Sequence, residues 1–178
     1  MFLRTHIDRL SSSIGRICAW LALTMTLLGA SNAVLRYIGR FVGKNLTSNA
    51  LLEAQWYLFS AVFLLAGASA LRQDRHVRVD VLLSKLPIRS RLWIDLLGAC
   101  FFLIPFCVYG LWSSSGFFWQ SWSIRELSAD AGGLPRYPVK ALIPLAFSLL
   151  LLQALSEIGR LSSSLFGRST GAEQEGGA

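Results

Sequence analysis

Charge is scarce in this chain. Asp, Glu, Lys and Arg make up 15% of its 178 residues while 53% are apolar; a soluble domain is about 25% charged. The deficit is concentrated. No charged residue falls between Arg16 and Arg36, between Glu53 and Arg72, between Asp95 and Arg125, or between Lys140 and Glu157. Intervals of that length exclude a water-soluble globule. Histidine is nearly absent: His6 and His76 both sit in basic segments outside the apolar runs, so a haem bundle with imidazoles facing each other at membrane depth is excluded. The cysteines are three, Cys18, Cys100 and Cys107, with no C-x-x-C spacing. Cys100 and Cys107 share a helix face but lie about 10.5 Å apart along it, too far to bridge, and all three read as small apolar residues. No metal, nucleotide or nucleophile motif is present. The length itself excludes a large stand-alone carrier, because each span needs about 20 residues: four spans fit and twelve do not.

What remains is an all-α membrane protein. The charge-free intervals predict four transmembrane helices over about 17–36, 53–71, 92–112 and 138–158, since a charge at the bilayer centre costs at least about 2.5–3.5 kcal/mol. Together they form one transmembrane domain over 16–166. Trp56 and Tyr57 stand at the head of the second span as an aromatic belt would place them, and the third helix is predicted to continue past the membrane to Trp119. Two short amphipathic helices are predicted at the interface. One covers 1–15, where Leu3, Ile7, Leu10 and Ile14 recur at helical spacing. That pattern also separates this N-terminus from a secretory signal, despite the basic start and the Ala30-Ser31-Asn32-Ala33 segment, and predicts an uncleaved anchor. The other lies between spans two and three, with Val79, Leu82, Leu83 and Leu86 on one side and Pro87 as its stop. The loop from Ser128 to Pro138 reads as turn and extended chain, and 167–178, rich in Gly, Ser and Glu, as a disordered cytoplasmic tail.

The formal charge of +7 belongs to the flanks of the spans. It predicts topology determinants and contacts with anionic lipids rather than nucleic-acid binding. Eleven of the 17 Lys and Arg residues fall on the side that holds both termini and six on the other, which places both termini in the cytoplasm. All four spans lack an ionisable group near mid-depth, whereas a self-contained ion-coupled exchanger needs one there. Asn32, Ser60, Ser69 and Gln153 are polar but read as contacts between helices. The residues thus describe a helper subunit with little chemistry of its own. An independent small oligomeric channel or exchanger, and a membrane anchor of an electron-transfer complex, stay open as alternatives. Trp112, Trp119 and Trp122 crowd one outer stretch, either a docking surface or a thick aromatic belt.

Three motifs carry a resemblance. Glu53-Ala-Gln-Trp-Tyr opens span two, Arg72-x-Asp-x-His76-Val-x-Val-Asp80 follows it, and Gly132-Gly-Leu-Pro-x-Tyr-Pro-x-Lys140-x-x-x-Pro144 opens span four. With four spans over roughly 14–160, the chain resembles the small membrane subunit of tripartite ATP-independent periplasmic (TRAP) transporters. The resemblance implies a three-part importer in the bacterial inner membrane. A periplasmic binding protein captures an organic acid, and a large multi-span membrane subunit moves it inward with sodium. It implies that sodium and substrate bind the large subunit, that the small subunit braces it, and that the small subunit has no enzymatic activity and no cofactor. Carried over by position, Glu53, Trp56, Arg72, His76, Asp80 and Lys140 are the candidates for packing or partner contact.

Overall fold

The computed structural model describes residues 2–72 and 86–166. They form four helices, α1 (Phe2–Val42), α2 (Asn49–Arg72), α3 (Ile88–Ser123) and α4 (Tyr137–Phe166), with no strand among the described residues. At 1.5 Å per residue these are about 61, 36, 54 and 45 Å long. Each is long and apolar enough to cross a hydrocarbon layer of about 30 Å. The two short connections, 43–48 and 124–136, lie at one end of the bundle, here the loop end; the start of α1 and the end of α4 lie at the other.

Helix α4 is the hub, packing against each of the other three, while α1 and α2 pair with each other and α3 is carried on α4. The faces that meet are largely small and polar, with Ser11 and Cys18 on α1, Ala68 and Ser69 on α2, Cys107, Ser114 and Ser121 on α3, and Ala146, Gln153, Ala154 and Ser156 on α4; at the end opposite the loops Leu96 of α3 packs with Leu161 and Leu165 of α4 in an apolar cluster. Most large apolar groups point outward, with Trp20, Phe63, Phe101, Phe102 and Trp112 among the most exposed. Lipid is as apolar as leucine, so helices there associate through close backbone approach rather than by hiding large side chains. Cys107, Ser114 and Ser121 are spaced by seven, the repeat of helices packed at a shallow angle. Between them Gly110 meets α4 so closely that a Cβ there would lie 2.4 Å from the Phe147 ring.

One expected element is not shown in α1. A separate interfacial helix over 1–15 is not seen, because α1 runs without a break from Phe2 to Val42. The buried face of this stretch is not the leucine side: Leu10 is 46% exposed. It is Ser11, Gly15 and Cys18. Ser11 donates to Oε1 of Gln153 at 2.6 Å, and a Cβ on Gly15 would strike Oγ of Ser69. From Ser11 onward α1 therefore packs into the bundle. The predicted helix around Val79 to Leu86 lies, but for Leu86, outside the described residues, and the tail over 167–178 lies outside them altogether.

Local chemistry sets the remaining bounds. Gly43 takes φ +68 and the Lys44 N–H returns to the Gly39 carbonyl at 3.1 Å, the six-to-one closure that ends a helix. Ser48 then caps α2 by accepting the Leu51 N–H. Within α3 the turn Ala99–Leu103 widens to a π-helix, closed by the Ile104 N–H on the Ala99 carbonyl. Pro105, which has no N–H and whose ring would meet the preceding turn, follows directly.

Candidate functional site

At the loop end two carboxylates organise the 124–136 connection. Asn49, Glu53 and Tyr57 recur every four residues on α2 and so form one stripe of that helix. All three grip the same loop. Asn49 donates to the Ala131 carbonyl at 3.0 Å, and the Tyr57 hydroxyl donates to the Pro135 carbonyl at 3.1 Å. Between them Glu53, only 3% exposed, accepts the Ser128 hydroxyl and the Leu134 N–H. Gly133 is required here: a Cβ on it would fall 2.7 Å from the Glu53 carboxylate.

The second carboxylate, Glu126, ties α3 to α4. It accepts the Ser121 hydroxyl at 2.7 Å and the Lys140 ammonium, and its own carbonyl accepts the Arg136 N–H at 2.8 Å. The Lys140 hydrogen bond holds the Glu126 carboxyl below its ordinary range. The Ser121 hydroxyl and the charges of Lys140 and Arg136 add to that effect, against the opposing cost of partial burial. Lys140 also stands 4.1 Å from the centre of the Phe117 ring, a cation–π contact. Trp122 and Tyr137 meet edge to face with centroids 5.1 Å apart. Charge, hydrogen bonding and aromatic packing thus fasten three helices to one loop.

This arrangement is a clasp. Both carboxylates hold donors from this chain. Beside the clasp a side-opening groove of about 380 Å³ runs between α2 and α4, bounded by Trp56, Ser60, Leu64, Arg136 and Ile143.

Of the residues singled out in the sequence, Glu53 and Lys140 come together in the clasp, and Trp56, 59% exposed, forms the groove's rim. Arg72 ends α2 at the opposite side of the bundle, about 28 Å from Glu53 along the helix. His76 and Asp80 lie outside the described residues. Sequence reasoning missed Asn49, Tyr57, Ser121, Glu126 and Ser128. The four-residue spacing of Asn49, Glu53 and Tyr57 was a usable signal, and so was an acid placed just beyond the apolar run of α3.

The family model described as "Tripartite ATP-independent periplasmic transporters, DctQ component" matches residues 25–163, a stretch that takes in all of α2 and α3 and the whole clasp. No curated protein and no solved structure matches the chain. With four membrane-crossing helices and a family match over most of its length, the chain belongs to the DctQ family, the small membrane component of TRAP transporters, and is a multi-pass membrane protein.

Proposed function

We propose that this subunit works as a rigid membrane brace for a large multi-span partner. Together with a periplasmic binding protein, that partner imports an organic acid coupled to sodium across the bacterial inner membrane. The observation that carries the reading is the family match combined with the absence of any charged or histidine side chain from the middle of all four spans, since ion coupling requires a group that can be neutralised and re-exposed within the bilayer. The loop-end clasp supports it, because Glu53 and Glu126 are spent on holding helices together. The distribution of Lys and Arg supports an orientation with both termini, and therefore the end opposite the clasp, in the cytoplasm. The exposed aromatic surface of α3, with Tyr109, Trp112 and Trp119, is available for helix-to-helix contact with the partner.

Co-expression tests this directly. The large membrane subunit co-purifies with the wild-type chain, and cells lacking the chain lose binding-protein-dependent uptake and regain it on re-expression. Uptake that persists at the wild-type rate without the chain would contradict a bracing role.

A further inference from the structure

Three cations gather at the loop end of α1 with no acid to meet them. Arg36 and Arg40 sit one turn apart on α1, and Lys44 follows the Gly43 turn that ends the helix, its N–H on the Gly39 carbonyl. With Gly39, Gly43 and Asn45 they line an open pocket of about 270 Å³. Among the described residues no carboxylate pairs with any of the three. The two acids of the clasp, Glu53 and Glu126, have partners of their own. Like charges at this spacing repel, and the negative end of the α1 dipole offsets only part of that repulsion.

The floor of the pocket is backbone. A Cβ on Gly39 would lie 2.5 Å from the Lys44 carbonyl, and Gly43 turns the chain with a positive φ. Oδ1 of Asn45 accepts both the N–H and the hydroxyl of Thr47, at 3.1 and 2.9 Å. That leaves its NH2 group as one more donor beside the cations.

Depth decides what kind of anion fits. The charge-free run 17–35 is about 28 Å long, matching a hydrocarbon layer of about 30 Å. Arg36 therefore lies at the level of the glycerol and phosphate groups and Arg40 about 6 Å farther out, while Lys44, past the Gly43 turn, folds back so that its N–H meets the Gly39 carbonyl. On the same turns Tyr37, Phe41 and Val42 are exposed, Phe41 at 89%. A cationic pocket at headgroup depth, with exposed Leu46 in its lining and further exposed apolar groups on the same turns of α1, matches a lipid, charged at one end and apolar at the other. A water-borne acidic protein would leave those apolar groups uncovered. We propose that the Arg36–Arg40–Lys44 pocket binds the phosphate of an anionic phospholipid.

Native mass spectrometry of the full chain in detergent, titrated with phosphatidylglycerol or phosphatidylcholine, tests the proposal. The wild type is expected to bind phosphatidylglycerol in preference. The Arg36→Gln/Arg40→Gln/Lys44→Gln variant is expected to bind it on the order of 100-fold more weakly, from about one interfacial cation's contribution at each of three sites. The Arg36→Lys/Arg40→Lys variant keeps the charge and is expected to keep the preference, and circular dichroism checks that every variant retains its helices. Inorganic phosphate in large excess should displace little of the lipid, because it lacks the acyl chains that cover Tyr37 and Phe41; full displacement would make the site one for small anions and overturn the lipid assignment. Equal binding of the two lipids by the wild type would also overturn it. So would a preference that survives in the triple glutamine variant, or binding of acidic polypeptide in place of lipid.

Discussion

The contact between Gly110 of α3 and Phe147 of α4 offers a sharp energetic test of how the bundle is held together. An alanine at 110 would place its Cβ 2.4 Å from Cε1 and 2.5 Å from Cζ of Phe147, well inside van der Waals contact, so the ring or the helix has to shift. Overpacking of this sort costs about 1–3 kcal/mol, offset by about 1 kcal/mol gained when glycine leaves a helix interior. The expected net effect runs from about zero to a loss of about 2 kcal/mol. Gly116 lies on the same helix, and a Cβ there would meet nothing within 4 Å, so Gly116→Ala should gain about 0.5–1 kcal/mol. Gly110→Ala should therefore be the less stable of the two, by roughly 1–12 °C in Tm. Cys18 and Cys107 are buried and free, so a thiol-reactive fluorogenic dye reads the unfolding in detergent. Adding Phe147→Leu to Gly110→Ala should recover most of the loss by removing the ring edge. If Gly110→Ala stabilises as much as Gly116→Ala, or Phe147→Leu brings no relief, α3 does not ride on α4 through this contact.

Other consequences are equally open to measurement. Glu53→Ala should speed hydrogen exchange at the Leu134 amide, which donates to Glu53, while amides near Gln153 stay protected; unchanged exchange at Leu134 would contradict the clasp. Glu126 titrates below its ordinary value of 4.5 because of Lys140 and Ser121, so its stabilising effect is complete above that pH and is lost as pH falls through the depressed value. Glu126→Gln should accordingly lower Tm at pH 7 by a margin that closes below pH 4.5, and a margin independent of pH would count against the pairing. Oδ1 of Asn32 is buried without a hydrogen-bond partner among the described residues. Asn32→Leu should thus leave Tm unchanged or raise it, and a marked fall would show that the oxygen is bonded in the folded protein.

The four membrane helices were legible because the bilayer imposes a simple rule: charge is kept out of its centre, and the charge-free intervals of the sequence mark all four. The course of α1 was less so. Leu3, Ile7, Leu10 and Ile14 form an apolar stripe, and in water such a stripe would mark the packed face. In lipid the packed face here is the one with the smallest residues, Ser11, Gly15 and Cys18, so α1 joins the bundle from Ser11 onward. The clasp was half visible. Glu53 and Lys140 stand out as charges at the ends of apolar runs, but their partners are fixed by tertiary contact. Ser128 and Leu134 lie 75 and 81 residues from Glu53, and nothing local in the sequence pairs them. The π-turn before Pro105 shows the same limit on a smaller scale: the proline announces a disturbance without saying which form it takes.

The central claim is that this chain lends rigidity and carries no transport chemistry. Solute uptake into proteoliposomes measures this most directly, with this chain alone, with the large membrane subunit alone, and with both, each supplied with loaded binding protein and a sodium gradient. Robust uptake is expected only when both membrane chains are present, and none with this chain alone. Sodium-driven uptake by this chain on its own would contradict the claim.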